Sequence, residues 1–140
     1  MSHQIMITPE EVYKAVWCDR WKNINLIRPL FPEDERMTLV EFLRLRVAAP
    51  DRLWVLSEFM TDSDFKHIVP NSLREKLEEA HAGDLDDLND HPYDLLENDF
   101  DMATHEDHDV SGGNFTIAFV KACDELLGTL VEVILEWEAA

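Results

Sequence analysis

Residues 115–137, FTIAFVKACDELLGTLVEVILEW, decide the fold of this 140-residue chain. Apolar residues recur in this segment at steps of three and four, which is the spacing of one helix face. The main stripe consists of Phe115, Phe119, Ala122, Cys123, Leu126, Leu130, Ile134 and Trp137. It is widened by Val120, Leu127, Val131 and Leu135. A helix that is apolar over so much of its girth is predicted to lie at the centre of the fold or in a dimer interface.

Helix-start signals precede two segments in the first part of the chain. Thr8 is a good N-cap and Pro9 suits the first helical position, so we predict a helix over residues 9–21. Thr38 is followed by Glu41 at the spacing of a capping box, which predicts a second helix. The residues between these helices, 23–37, contain two prolines and are interpreted as a connector. Its inward-facing apolar residues are expected to be Leu26, Ile27, Leu30 and Phe31.

Two more helices are predicted in the middle of the chain. Pro50 and Asp51 open the first, and Asn71 or Ser72 caps the second, for which Gly83 is a natural C-terminal stop. Alternating strand patterns are nearly absent. We therefore predict an all-α fold: a compact bundle of about five or six helices with a long C-terminal helix. Residues 1–140 would form one domain, with residues 84–113 as an acidic, partly irregular insert.

The charge of the chain is strongly acidic, with 12 Lys and Arg against 30 Asp and Glu and a formal net charge of −18. Thirteen acidic residues and no Lys or Arg lie between positions 77 and 120. This balance argues against direct binding to nucleic acid or to an anionic membrane, and it favours basic proteins or cations as partners. The chain has no secretory start and no clean apolar run long enough for a membrane span, so a cytoplasmic location is expected.

Motifs for catalysis are absent from the sequence, which lacks a Gly-rich phosphate loop, GxSxG and HExxH. We therefore predict no enzyme activity and no catalytic residue. Cys18 and Cys123 have no CxxC spacing and are predicted to be buried thiols. His67 and His81 are expected at the surface or its boundary. Core packing is the predicted role of four aromatic residues, Trp17, Trp21, Trp54 and Trp137.

The acidic insert is the leading candidate for function. In a helix, Asp87, Asp90 and Asp94 would lie along one face together with Glu97 and Asp101, although Pro92 interrupts the row. Like charges at this spacing destabilise a helix, so a row without Lys suggests that it matches a basic surface. The alternative is a solvated acidic loop that supplies only solubility. The candidate partner-binding residues are Asp84, Asp86, Asp87, Asp90, Asp94, Glu97, Asp99 and Asp101.

Metal binding is a second hypothesis for the insert. Residues 107–112, DHDVSG, resemble the first half of an EF-hand calcium loop, but the twelfth place is Ala118, where the motif needs a bidentate Glu. Imidazole with carboxylate also suits zinc. The candidate ligands are His105, Asp107, His108 and Asp109. No cofactor is expected apart from Ca²⁺ or Zn²⁺ at this place.

These patterns together predict a non-enzymatic acidic binding protein that occupies the basic, nucleic-acid-binding surface of another protein. DNA mimics, anti-restriction and anti-CRISPR proteins and nuclease immunity proteins, which are small acidic inhibitors of phage or plasmid origin, act in this general way. The analogy rests on charge alone. Two alternatives stay open: a protein that responds to divalent metal through residues 99–113, and an oligomeric adaptor or subunit that pairs through residues 115–137.

Overall fold

The computed structural model describes residues 4–15, 22–46, 49–90 and 117–140, with the backbone alone for 50, 81–90, 117–120 and 122. Six α-helices lie in these residues: α1 (Pro9–Ala15), α2 (Ile24–Ile27), α3 (Leu39–Leu43), α4 (Ala49–Thr61), α5 (Asn71–Asp90) and α6 (Ile117–Ala139). Single turns of 3₁₀ helix span Arg28–Leu30 and Ser63–Phe65. The predicted all-α fold with a long C-terminal helix is confirmed.

The core lies where α4, α5 and α6 pack on one another, with α3 against α6. Of the predicted stripe of α6, Cys123, Leu126, Leu130 and Ile134 are buried, whereas Phe115 and the side chains of Phe119, Val120 and Ala122 lie outside what the structure describes. Leu127 and Val131 widen the buried face as predicted. Leu135 is 38% exposed, so that part of the prediction was wrong, because it lies about 100° around the helix from Ile134. The helix α4 is buried around most of its girth. Apolar burial of this kind is worth about 25 cal/mol per Å², so this three-helix contact dominates the stability of the fold. The long helix is therefore central within its own chain, and pairing between copies stays a prediction.

The predicted N-cap at Thr8 and the predicted capping-box pair of Thr38 and Glu41 are both present in the structure. Glu11 donates its backbone N–H to Thr8 Oγ1 over 3.3 Å, and Thr8 N–H donates to Glu11 Oε1 over 2.9 Å. At the start of α3, Glu41 N–H donates to Thr38 Oγ1 over 3.0 Å. Each box satisfies backbone donors that a helix start leaves without an intrahelical partner. The first helix ends at Ala15 within the described residues, and its predicted continuation over 16–21 lies outside them.

A small β-ladder, which the sequence did not predict, ties the N-terminal segment to the helices. The strands β1 (Met6–Ile7) and β2 (Met37–Thr38) pair antiparallel, with Met6 opposite Thr38. Ile5 extends the contact, because its carbonyl accepts from Leu39 N–H over 2.8 Å and its N–H donates to Glu138 Oε2 over 3.3 Å. The buried Glu138 thus fastens the last turn of α6 to the strand.

The prediction that Gly83 ends a helix was wrong. The helix α5 continues through Gly83 to Asp90. Glycine inside a helix costs only about 1 kcal/mol relative to alanine, and it acts as a stop only where the chain turns to positive φ. Leu85 and Leu88, which are good helix formers, follow Gly83 and help to carry the helix onward.

The start of α5 also differs from the prediction. The helix begins at Asn71, so neither Asn71 nor Ser72 is its N-cap. Ser72 Oγ instead accepts a hydrogen bond from Trp137 Nε1 over 2.9 Å. This bond joins the first turn of α5 to the last turns of α6.

The predicted connector, residues 23–37, contains a helical turn. Asn23 caps α2 by accepting from Asn25 N–H over 2.9 Å. Ile27 and Phe31 are buried as predicted, but Leu26 is 57% exposed and that part of the prediction was wrong. Adjacent residues of a helical turn point in directions about 100° apart, so Leu26 and Ile27 do not share a face.

Predictions for single aromatic and thiol side chains are confirmed where the structure describes them. Trp54 and Cys123 are buried, and Trp137 is half-buried against the core. Trp17, Trp21 and Cys18 lie outside the described residues. Among the helices that the structure describes, none has both the length and the apolar composition that a membrane span requires.

Candidate functional site

The outer face of α5 carries the candidate interaction site. Leu73 and Leu77 are buried on the inner face, where α5 packs against α4 and α6. Glu75 and Glu79 are exposed. With about 100° per residue, positions 75, 79, 86 and 90 lie within about 60° of one another around the helix axis, opposite the two leucines. We call these four positions the α5 acidic row: Glu75, Glu79, Asp86 and Asp90.

Four of the eight predicted partner-binding residues lie on the described helix α5. Asp86 and Asp90 belong to the α5 acidic row. Position 84 is in helical register with buried Leu73 and Leu77, and position 87 lies between that register and the row. The remaining four lie outside the described residues: Asp94, Glu97, Asp99 and Asp101. The predicted row of Asp87, Asp90, Asp94, Glu97 and Asp101 stays a prediction, because only Asp87 and Asp90 lie on the described helix.

Sequence reasoning missed the contribution of Glu75 and Glu79 to the row. Because Gly83 was predicted to end their helix, these two residues were not grouped with the acids that follow it. The four positions are separated by four, seven and four residues, and this spacing keeps them on one face of a helix. It is the signal that would have linked Glu75 and Glu79 to Asp86 and Asp90.

The charges of α5 are unevenly distributed along the helix. Its two cations, Arg74 and Lys76, lie in the first two turns, and Arg74 Nη2 donates to the Val69 carbonyl over 3.4 Å. The last two turns hold Asp84, Asp86, Asp87 and Asp90 and no cation. The last turn of a helix carries a partial negative charge, so the carboxylates of Asp87 and Asp90 are each unfavourable there by about 0.3–1 kcal/mol.

The predicted metal ligands, His105, Asp107, His108 and Asp109, lie outside the described residues. Calcium or zinc binding by residues 99–113 therefore stays a prediction. Within residues 4–15, 22–46, 49–80 and 121–140, no group of three or more His, Cys, Asp or Glu side chains is arranged to hold a metal ion.

A second feature is a groove of about 360 Å³ between α3, α4 and α6. We call it the α6 groove, and its lining residues are Leu43, Arg44, Arg52, Asp124, Leu127, Gly128, Val131 and Glu132. Sequence reasoning did not find this groove, because its residues come from three separate segments.

Arg52 is the buried charge of the α6 groove, with its side chain 8% exposed. Its Nη1 donates to the Leu43 carbonyl, and its Nη2 lies 3.3 Å from Asp124 Oδ1. Burial lowers the pKa of Arg52, while the charges of Asp124 and Asp51 oppose that effect. The guanidinium remains charged at neutral pH, because the ordinary pKa of Arg is so high. Arg52 thus holds Asp124 in place at the groove edge.

A third feature is a cleft beside α1, lined by Glu11, Lys14, Asp62, Asp64, Phe65 and His67. His67 is exposed, as predicted, and its Nε2 lies 3.5 Å from Glu11 Oε2. The other oxygen of Glu11 completes the capping box of α1, and Asp62 accepts from Asp64 N–H over 2.8 Å. These carboxylates already serve local structure, so the cleft is not our candidate site.

Comparison with protein-family models, with curated proteins and with solved structures found no match to this chain.

Proposed function

We propose that this protein is a non-enzymatic binding protein that occupies the basic, nucleic-acid-binding surface of another protein. The observation that carries the proposal is the α5 acidic row, which aligns four acidic positions along one face of one helix, with Glu75 and Glu79 exposed. Along the helix axis the four positions are separated by about 6, 10.5 and 6 Å, so the row extends over roughly 22 Å. A row of carboxylates of this length suits an extended Lys/Arg surface built for phosphates.

The mechanism is competitive. Carboxylates of the row stand where phosphates would stand, and the partner's Lys and Arg side chains are neutralised by them. The net charge of −18 speeds the encounter with a basic partner, and added salt weakens the complex. No covalent step and no cofactor enter this mechanism. The proposed site of action is the cytoplasm.

The energetics of α5 support a role beyond solubility. Like charges four residues apart and carboxylates at a helix C-terminus both destabilise the helix. Mixed charges would keep the chain soluble at a lower cost in stability. The 13 acidic residues between positions 77 and 120 occur without a single Lys or Arg. A basic partner would remove that repulsion on binding.

The test compares two variants that lose the same number of charges. The row variant carries Glu75→Gln, Glu79→Gln, Asp86→Asn and Asp90→Asn. The control variant changes four acids elsewhere on the chain, as Glu33→Gln, Asp34→Asn, Asp62→Asn and Asp64→Asn. Each protein is immobilised, nuclease-treated lysate is passed over it at low salt, and bound proteins are eluted by a salt step and identified.

We expect wild type and control to capture one dominant nucleic-acid-binding protein and the row variant to capture at least about tenfold less of it, as loss of several desolvated charge contacts implies. The purified partner should then lose its nucleic acid in competition with wild type. Capture of scattered basic proteins, unchanged in the row variant, would contradict the proposal. If the row and control variants lose the same amount of captured partner, binding depends on net charge in general and not on the row.

A further inference from the structure

The last turn of α6 contacts two segments that are far from it in sequence. We call residues 136–139 the C-terminal turn of α6. Its Glu138 Oε2 accepts the backbone N–H of Ile5, the residue before β1, over 3.3 Å. Its Trp137 Nε1 donates to Ser72 Oγ, in the first turn of α5, over 2.9 Å. Two adjacent residues of one helix end thus join the N-terminal strand and α5.

The burial of Glu138 has a reason in the first of these contacts. Glu138 is only 6% exposed, and burying a carboxylate is costly unless its oxygens accept hydrogen bonds. An apolar side chain would fill the same place without that cost. Ile5 is buried as well, and a buried backbone N–H without an acceptor is unfavourable. Glu138 supplies the acceptor that the strand segment needs.

The N-terminal segment is weakly supported apart from this contact. The strand β1 has two residues and pairs with β2 alone within the described part of the chain. A two-stranded ladder is marginal in water, so its remaining support comes from buried side chains and from Leu39 N–H, which donates to the Ile5 carbonyl. We therefore expect residues 4–7 to open more readily than the core helices.

The C-terminal turn can itself open without disturbing the rest of α6. The last carbonyls of a helix have no intrahelical donors, so helix ends fray. Ile134 is fully buried, which fixes the part of α6 before this turn. Each of the two contacts requires the turn to be ordered. Once Ile5 is bound to Glu138, Trp137 reaches Ser72 without a further loss of backbone entropy, and the converse also holds. Sharing one ordering step couples the contacts positively.

We propose that the C-terminal turn of α6 is a conformational coupling element, through which residues 4–7 and the first turn of α5 open and close together. The inference goes beyond the proposed function and does not depend on it. Glu75, the first member of the α5 acidic row, lies one turn after Ser72. Release of the N-terminal strand would therefore loosen the start of that row.

The test is native-state hydrogen exchange on the full chain labelled with ¹⁵N. The backbone amides of Ile5 and Leu39 report on the strand segment. The amide of Arg74, which donates to the Pro70 carbonyl over 2.9 Å, reports on the first turn of α5. The amide of Leu56 in the buried helix α4 reports on global unfolding.

Two variants break one contact each. Glu138→Met removes the acceptor at similar bulk, so exchange at Ile5 should accelerate about tenfold, as loss of one hydrogen bond to a charged group implies. Exchange at Arg74 should also accelerate, at least about twofold, the lower end of couplings between interacting residues. In the opposite direction, Ser72→Ala should accelerate exchange at Ile5 at least about twofold.

Two further variants are controls. Glu138→Gln keeps an oxygen acceptor and should stay close to wild type. Glu136→Met makes the same change as Glu138→Met at an exposed position of the same turn, and it should alter none of the reporter amides.

Coupling in both directions would support the inference. If each variant changes only its own side, the contacts are independent and the inference is overturned. It is also overturned if the Leu56 amide accelerates by the same factor, because the effect is then global unfolding, or if Glu136→Met acts like Glu138→Met. Ser72→Ala, at an exposed position, carries the test alone if Glu138→Met does not fold. Without acceleration at Ile5 in that variant, the inference fails.

Discussion

The helices α4 and α5 are neighbours in the core, but their surfaces differ. Four consecutive residues of α4, from Leu53 to Leu56, are buried, so packing constrains this helix on nearly every side. In the first half of α5 only Leu73 and Leu77 are buried, and Glu75, Glu78 and Glu79 are exposed. The composition of α4 is thus explained by the interior of the protein. The exposed acids of α5 are not, and the proposed function rests on them.

The largest expected effect comes from truncating α4. Leu56→Ala removes a fully buried side chain and leaves a cavity, so the free energy of unfolding should fall by about 2–5 kcal/mol. Glu79→Ala in α5 should change it by no more than about 0.5 kcal/mol, because exposed substitutions rarely do more. Chemical denaturation measures both. Similar losses of unfolding free energy in the two variants would mean that the outer face of α5 is packed, which would contradict the difference between the two helices.

Removing a charge should also cost more stability in α4 than in α5. Arg52→Met in α4 should cost about 3 kcal/mol in the free energy of unfolding, because it removes a buried cation together with its contacts to the Leu43 carbonyl and to Asp124. Lys76→Met on exposed α5 is the control, with an expected change within about 0.5 kcal/mol. If Arg52→Met leaves the free energy of unfolding unchanged, the charge of Arg52 is effectively solvated in the folded protein.

A pH dependence of stability should come from Cys123 in α6, the helix that contacts both α4 and α5. Burial, together with nearby Asp124, raises the pKa of the Cys123 thiol. Above about pH 8.5 the unfolded thiol loses its proton while the folded thiol keeps it, so the folded state binds more protons and stability falls. The loss should approach about 1.4 kcal/mol per pH unit, and denaturation series at pH 7–10 measure it. In a Cys123→Ala variant that slope should flatten. An unchanged slope would assign the effect to other groups.

The smallest expected effect concerns Gly83 in α5. Gly83→Ala should stabilise the protein by about 0.5–1 kcal/mol, because Gly83 lies inside the helix. At a helix stop with positive φ, the same substitution would destabilise it. The sign of the change, measured by denaturation together with helical circular dichroism, therefore tests whether Asp86 and Asp90 continue the face of Glu75 and Glu79.

Local signals in the sequence predicted much of the fold. Capping boxes at Thr8 and Thr38 involve residues three apart, and the stripe of α6 repeats along one helix, so both are visible in a single segment. Gly83 misled the prediction because a glycine tolerated inside a helix and a glycine that ends one look alike in sequence. The turn α2 was missed because it is only four residues long.

Candidate sites were harder to predict, because they depend on contacts between distant segments. The α6 groove brings together Leu43, Arg52 and Gly128, and nothing in their separate sequence contexts links them. The burial of Arg52 depends on the packing of α4 against α6, which periodicity alone does not reveal. Sequence reasoning found the acidic region, whereas the choice of which acids share a face required the true length of α5.

The order of the helices along the chain has a consequence for folding speed. The helices α4 and α5 are separated by only nine residues, whereas 26 residues, 91–116, lie between α5 and α6. Those 26 residues hold seven acids and no Lys or Arg. In the unfolded chain their mutual repulsion expands the loop that must close before α6 can dock, which adds to the entropy of loop closure. Salt screens that repulsion, so refolding should accelerate as ionic strength rises, although the same salt would weaken the proposed complex with a basic partner.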